Sequence, residues 1–341
     1  MILVTGGTGF IGSHTAVELI QAGYEVVIID NLCNSTIEVL DGIEKITGER
    51  PLFEKFDLTD AVRLDHFFST YKTVRAVIHF AAYKSVSESV EKPLMYYKNN
   101  IGSQVNLLNS MIRYGIEYFV FSSSCTVYGE PDRLPVTENS PIKKANSPYG
   151  NTKQIAEEIL SDTILSGDPL QAISLRYFNP IGAHPTGFIG ELPIGIPNNL
   201  VPFITQTAYG IHKELNVFGD DYNTPDGTCI RDYIDIVDLS KAHVVAIDRM
   251  LEKRNKTRFE IFNLGTGAGV SVLEMIKAFE QATGLSVKYR ITERRPGDVE
   301  KVWADTSLAN KELGWKAQVS LNETLLSAWR WEQYYRKELA N

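Results

Sequence analysis

Seven residues near the start of the chain, Gly6-Gly7-Thr8-Gly9-Phe10-Ile11-Gly12, restrict the fold more than any other segment. They follow a short apolar run, Ile2 to Thr5, and open a stretch of helical length, Phe10 to Ala22. Gly6 permits a tight strand-to-helix turn, Gly9 lets a pyrophosphate approach the backbone, and Gly12 allows the helix to pack closely on the strand. The N–H groups that open such a helix have no partner within it and would face negative charge. Taken alone, the glycines are equally what a merely tight turn requires.

Context narrows the choice. Further β-branched runs, Glu25 to Ile29, Val74 to Phe80, Tyr118 to Ser122 and Ala172 to Tyr177, alternate with the helical stretches Leu94 to Tyr114 and Pro148 to Leu165. The strand-like runs are apolar on both faces, as strands of a parallel sheet covered by helices must be. An α/β fold of the Rossmann type, a doubly wound parallel sheet, is expected over residues 1–180. From Pro180 through Pro197 the chain is too rich in Gly and Pro for another such unit. Residues 181–341, with helical stretches at Val272 to Thr283 and Leu321 to Leu339, are read as a smaller α/β substrate domain, appended to or interleaved with the first.

Asp30 ends the second strand, about 20 residues beyond the glycines, where a carboxylate accepts hydrogen bonds from an adenosine ribose and repels a 2′-phosphate. NAD is therefore preferred over NADP, although a turn cap would also place an Asp here. Asp57 and Lys84 fall at the carboxyl ends of later strand-like runs, the edge where ligands of a doubly wound sheet collect.

Composition closes off other classes of function. A formal charge of −8 and the lack of a Lys/Arg run leave no basic face for nucleic acid or an anionic membrane. Cys33, Cys125 and Cys229 lie far apart and are odd in number, which fits neither a disulfide framework nor a zinc spacing and suits a reducing cytoplasm. No secretory leader or spanning segment is read, no metal is expected, and His79 is read as a satisfied buried histidine.

Ser147-Pro148-Tyr149-Gly150-Asn151-Thr152-Lys153 reads as a helix start, with Ser147 as cap and Pro148 at the first position. Tyr149 and Lys153 then share one helical face. A phenol with a pKa near 10 is a poor base at neutral pH, so it needs a neighbouring positive charge, here the Lys153 ammonium and oxidised nicotinamide, to lower that pKa. A hydroxyl of Ser122-Ser123-Ser124, at a strand end, could share the substrate proton. In isolation a Tyr-x-x-x-Lys spacing is usually a solvated helix face. After a glycine fingerprint, an acidic ribose partner and a strand-end serine cluster, the catalytic reading prevails.

These residues, in this order, resemble the extended short-chain dehydrogenase/reductases over nearly the whole chain, and within them the UDP-glucose 4-epimerases. The supporting stretches include Asp30-Asn31-Leu32-Cys33-Asn34, Ser122 through Gly129, Arg176-Tyr177-Phe178-Asn179-Pro180, Gly195 through Leu200, and Arg231-Asp232-Tyr233. The resemblance implies permanently held NAD, with Gly6, Gly9, Phe10, Ile11, Gly12, Phe80, Ala81 and Ser122 among its contacts. Asp30 and Asn31 would take the ribose, Asp57 and Leu58 the adenine, Lys84 and Asn99 the ribose and phosphate region, and Tyr177 the nicotinamide border. Ser124, Tyr149 and Lys153 correspond to the catalytic set.

For a UDP-sugar the resemblance implies Lys84, Ser124, Tyr149, Asn179, Asn199, Leu200, Val217, Phe218, Arg231, Arg295 and Asp298. Two arginines supply forked donors for a diphosphate, and Phe218 an aromatic wall for uracil. Without the family pattern, surface salt bridges and a core contact would explain them as well. Val302, just before Trp303, matches a gate position where a tyrosine confines such enzymes to glucose and galactose. Valine would leave room for an N-acetyl group unless another side chain fills the gap. Nucleotide-sugar 4,6-dehydratases share the fold and the first step, but carry Asp-Glu where this chain has Cys125-Thr126. A non-catalytic NAD-binding protein could dispense with the tyrosine and lysine. A homodimer paired through Leu94 to Tyr114 and Pro148 to Leu165 is expected by analogy with the family.

Overall fold

The computed structural model describes residues 1–295 and 297–339. Its centre is a seven-stranded, wholly parallel sheet: β1 (Ile2–Thr5), β2 (Val26–Asp30), β3 (Leu52–Lys55), β4 (Ala76–His79), β5 (Tyr118–Ser124), β6 (Gln171–Tyr177) and a last strand, Phe259–Leu264. Across the sheet they run Phe259–Leu264, β6, β5, β4, β1, β2, β3. β1 therefore lies between β2 and β4, with Thr5 beside Ile29 on one side and His79 on the other. The strand order reverses at β1 and β4, and the crevice above that point is where such sheets bind ligands.

Alternate side chains of each strand enter two apolar layers, which is why the runs are apolar throughout. On one face Ile2, Val4, Ile28 and Ile78 meet Val17 and Leu19 of helix Phe10–Gln21 and Ala242 and Ile247 of helix Ile236–Leu251. On the other, Leu3, Val27, Val77 and Phe119 meet Phe67, Leu107, Met111 and Leu160. Truncating a fully buried aromatic such as Phe119 costs about 3–5 kcal/mol in layers of this kind.

The chain beyond residue 180 serves both parts of the molecule. Helix Ile236–Leu251 and strand Phe259–Leu264 join the first sheet, whereas helices Leu200–Tyr209, Val272–Thr283 and Leu321–Tyr334 enclose a separate core of Val201, Ile204, Met275, Phe279 and Leu325. Two of these helices begin in full capping boxes, Ser271 with Glu274 and Ser320 with Glu323. Short strands carry the rim of this part over the sheet edge: Leu215–Phe218 pairs with Tyr289–Thr292, and Ile230–Arg231 lies between Val270–Ser271 and Lys301–Val302.

The expected helix over Leu94 to Tyr114 is interrupted. It comprises Pro93–Tyr96, a π-helical turn at Tyr97–Ile101, and Gly102–Arg113. Within that turn Asn100 binds the backbone of Tyr83 through both side-chain atoms, at 2.9 and 3.0 Å, and donates to Thr152 Oγ1 at 3.1 Å. Insertions of this sort gather at functional sites.

Candidate active site

The glycine turn sits at the switch point of the sheet. Gly6 has φ +68°, and a Cβ there would stand 2.7 Å from Ala81 N, just past β4. At Gly12 it would stand 2.3 Å from Gly6 O. Both positions thus require glycine for the fold itself. Gly9 differs: its φ is −73°, and a Cβ would meet only Gly6 O, at 3.2 Å, so its outer side is open. No side chain caps the helix that Gly9 begins, and its first turn, Phe10 and Ile11 included, holds no acidic residue. This N-terminus presents free donors and a positive dipole end, which suits a dinucleotide pyrophosphate.

Around the cradle, Asp30 accepts from Thr8 N at 3.2 Å and from Leu32 N at 2.9 Å. The carboxylate is thus both a turn cap and a group facing the glycine loop. Asn31 donates to Asp57 Oδ2 at 2.8 Å, and Thr59 donates to Oδ1 twice, at 2.8 and 2.6 Å. Burial pushes the Asp57 carboxyl up, but these hydrogen bonds outweigh it and hold it below its usual range. Leu58 is buried; Phe80 and Ala81 are half-buried behind β4, and Asn99 donates to Asn100 Oδ1 at 3.0 Å.

Helix Pro148–Leu165 begins as its sequence dictates, with Ser147 Oγ accepting from Gly150 N at 3.1 Å and proline at the first position. Lys153, 5% exposed, donates from Nζ to the carbonyl oxygen of Ser122 at 2.6 Å and lies 5.9 Å from the centre of the Tyr149 ring. Ser122 also hydrogen-bonds to Tyr177, whose ring packs 5.8 Å from that of buried His243. Burial lowers Lys153 to about 8, with Glu157 opposing the shift.

The expected lowering of the Tyr149 pKa is absent from the chain alone. Burial pushes it up to about 12, and a hydrogen bond with Ser124 offsets only part of this. The physical reason is that burial outweighs the Ser124 hydrogen bond, while the Lys153 ammonium donates to Ser122 O rather than to the phenol. His79 is buried and shares a 2.8 Å hydrogen bond with Thr5, and among the described residues no cluster of His, Cys, Asp or Glu could hold a metal.

Across the crevice, Arg231 and Arg295 converge on Asp298, at 3.8 and 2.8 Å to Oδ1, and Arg295 lies 5.4 Å over the Phe218 ring. Phe218 is 38% exposed while Val217 is buried beneath it, so one strand offers an aromatic face and anchors it. Asn179 is half-buried, with its N–H bound to Asp232 O at 3.0 Å. Leu200 opens a helix capped by Asn199, whose side chain makes no cap bond. Asn199 instead donates to Glu191 at 2.5 Å, and Lys84 donates to the same carboxylate oxygen at 3.1 Å. Glu191, unforeseen in the sequence, lies in the irregular Gly/Pro stretch where no periodicity marks a side chain's direction.

Val302 is 6% exposed and packs with Val127, Tyr128, Val136, Phe178 and Ala304. Its loop, of which Pro296 lies outside the described residues, borders a cavity of about 360 Å³ lined by Leu134, Val299, Glu300, Lys301 and Trp303. A larger cavity, about 600 Å³, is lined by Asp132, Lys143 and Asn146, just before helix Pro148–Leu165.

Known proteins bear on this arrangement directly. The family described as GDP-mannose 4,6 dehydratase matches residues 3–327. A UDP-glucose 4-epimerase of Bacillus subtilis is 50% identical over 97% of this chain and 96% of its own length. A crystal structure of a UDP-glucose 4-epimerase from Stenotrophomonas maltophila, with NAD and formylated UDP-arabinopyranose, is 47% identical, has a TM-score of 0.95 and covers 98% of both chains. One from Bifidobacterium longum, in complex with NAD⁺ and UDP, is 45% identical with a TM-score of 0.94, again over 98% of each chain. With a Rossmann sheet, a glycine cradle and near full-length identity of this order, the chain belongs, within the extended short-chain dehydrogenase/reductases, to the UDP-glucose 4-epimerase family, whose members are isomerases.

Proposed function

We propose that this chain is an NAD-dependent UDP-hexose 4-epimerase that acts on UDP-glucose and UDP-galactose and also on UDP-N-acetylglucosamine and UDP-N-acetylgalactosamine. The observation that carries the reading is half-buried Tyr149 one turn before buried Lys153 at the carboxyl edge of the sheet, with Cys125-Thr126 beside them in place of an acid–base pair. Elimination of water, the dehydratase outcome, lacks its acid and base here.

NAD fits the cradle: Gly6, Gly9, Phe10, Ile11 and Gly12 would hold its pyrophosphate and Asp30 its ribose, and when bound it takes the hydride from carbon 4 and returns it, so no net redox occurs. The chain's own part is positioning and electrostatics. Tyr149 takes the proton of the 4-hydroxyl and Ser124 shares it, while Lys153, protonated at neutral pH, supplies the charge that a phenolate needs. The resulting 4-keto sugar turns to present its other face, and Tyr149 gives the proton back. Arg231 and Arg295 hold the diphosphate through this turn, and Phe218 stacks on uracil.

Val302 supports the wider substrate range because valine occupies much less of the wall than a tyrosine would. We also read the chain as a cytoplasmic homodimer paired through helices Gly102–Arg113 and Pro148–Leu165. Three free thiols suit a reducing compartment. No described helix is long and apolar enough to cross a membrane.

Incubation with UDP-N-acetylglucosamine and with UDP-glucose, followed by anion-exchange separation of the products, tests the substrate range. Both sugars are expected to turn over in the native chain. Val302→Tyr is expected to lose at least about tenfold on the acetylated sugar and to keep activity on UDP-glucose. No turnover of the acetylated sugar by the native chain removes that half of the proposal.

A further inference from the structure

Helix Pro148–Leu165 carries Tyr149 and Lys153, and one turn beyond Lys153 on the same face it carries Glu157, which is 7% exposed. A carboxylate at this depth is tolerated only when its oxygens are filled. Its Oε1 accepts from Ser123 Oγ at 2.6 Å, Ser174 Oγ at 2.7 Å and Arg176 Nε at 3.0 Å, and its Oε2 from Arg176 Nη2 at 2.5 Å. Ser123 belongs to β5, and Ser174 and Arg176 to β6, so one side chain ties the helix to two adjacent strands. Ser123 itself stands between Ser122, whose carbonyl receives Lys153, and Ser124. Arg176 extends the tie by donating to Tyr128 OH at 3.0 Å, which donates to Asn263 at 2.6 Å.

We infer that Glu157 is a positioning residue for the Tyr149, Lys153 and Ser124 set, fixing the helix over β5 and placing a carboxylate one turn from the Lys153 ammonium. The inference rests on the reading that Tyr149 and Lys153 carry the chemistry. Other groups that face Lys153 are neutral. His79 of β4 is driven down to about 3 by burial and then by the Lys153 charge, and the phenols of Tyr177 on β6 and Tyr149 on the helix are raised by burial. Arg176 on β6 is matched to Glu157 itself. Glu157 is therefore the group that sustains the Lys153 proton against burial.

A second buried pair serves as an internal control. Arg249 and Glu260 have the same side-chain exposures as Arg176 and Glu157, 4% and 9%, with bonds of 2.6 and 2.9 Å. They join helix Ile236–Leu251 to strand Phe259–Leu264, in the layer on the opposite face of the sheet from helix Pro148–Leu165.

The test compares Glu157→Gln and Glu260→Gln holoenzymes, reading melting temperature, KM and the pH dependence of kcat with UDP-galactose. Both variants are expected to melt lower. Only Glu157→Gln is expected to lose about tenfold or more in kcat, with KM within about twofold, and to move the alkaline limb of kcat down by about one pH unit. Ser174→Ala, which removes one bond to Glu157 and keeps its charge, is expected to lower kcat severalfold with the limb in place. A Glu157→Gln enzyme indistinguishable from Glu260→Gln overturns the inference. If Glu157→Gln does not fold, an unchanged kcat in Ser174→Ala overturns it. Tyr149→Phe, assayed alongside, overturns the underlying reading instead if it retains turnover.

Discussion

Lys153 shows how a single residue is placed at the expense of stability. Its pKa in the fold is about 8, against an ordinary 10.5, because burial disfavours the ammonium. A base depressed in this way weakens the fold fully below pH 8, and the penalty fades as pH rises toward 10.5, where the unfolded chain also loses the proton. The fall from 10.5 to about 8 corresponds to about 3 kcal/mol against the charged form, of which methionine recovers only part because it gives up the hydrogen bond to Ser122, worth about 1 kcal/mol. Lys153→Met should therefore stabilise cofactor-free protein by about 1–2 kcal/mol at pH 7, with the gain shrinking at pH 10, while abolishing turnover. Urea melts at the two pH values check this, and a variant less stable at pH 7 would contradict it. The i, i+4 spacing that marks Tyr149 and Lys153 in the sequence also reaches Glu157. What the spacing cannot supply is the partner set on β5 and β6, because those contacts form only when distant strands are laid side by side.

At the scale of elements, the strand–turn–helix unit at the start of the chain divides the work among its glycines. Gly12→Ala should cost about 1–3 kcal/mol and displace the helix, since its Cβ would stand 2.3 Å from Gly6 O. Gly9→Ala should melt within about 1 kcal/mol of the native chain and yet lose bound NAD, since only the ligand side is filled. Thermal melts together with cofactor content after gel filtration separate the two. A Gly9→Ala protein that retains NAD would contradict the cradle.

Elements of this kind are legible because the signal is local: the serine cap and proline at the start of helix Pro148–Leu165, or the apolar run of β1. Helix Ile236–Leu251 and strand Phe259–Leu264 are harder to read. They return to the first sheet from beyond residue 180 only after the chain has built part of the second core, and nothing local announces that return.

For the whole molecule, the reversal of strand order at β1 and β4 sets the glycine cradle at the switch point, and Arg231 lies within electrostatic reach of Cys125 just past β5. The parallel sheet follows from runs that are apolar on both faces. The rim is less legible, because Phe218, Arg231 and Val302 reach it on strands of two to four residues whose pairing partners lie far along the chain. Glu191, bridging Lys84 and Asn199 from an irregular segment, is of the same kind.

The central claim is that the crevice at this switch point inverts carbon 4 of a UDP-hexose through the Tyr149 hydroxyl. The direct test is product analysis after incubating native and Tyr149→Phe holoenzyme with UDP-galactose. The account predicts UDP-glucose from the native chain without net change in NADH, and a loss of at least about a hundredfold in the variant with NAD still bound. Undiminished turnover in Tyr149→Phe, or none in the native enzyme, would contradict it.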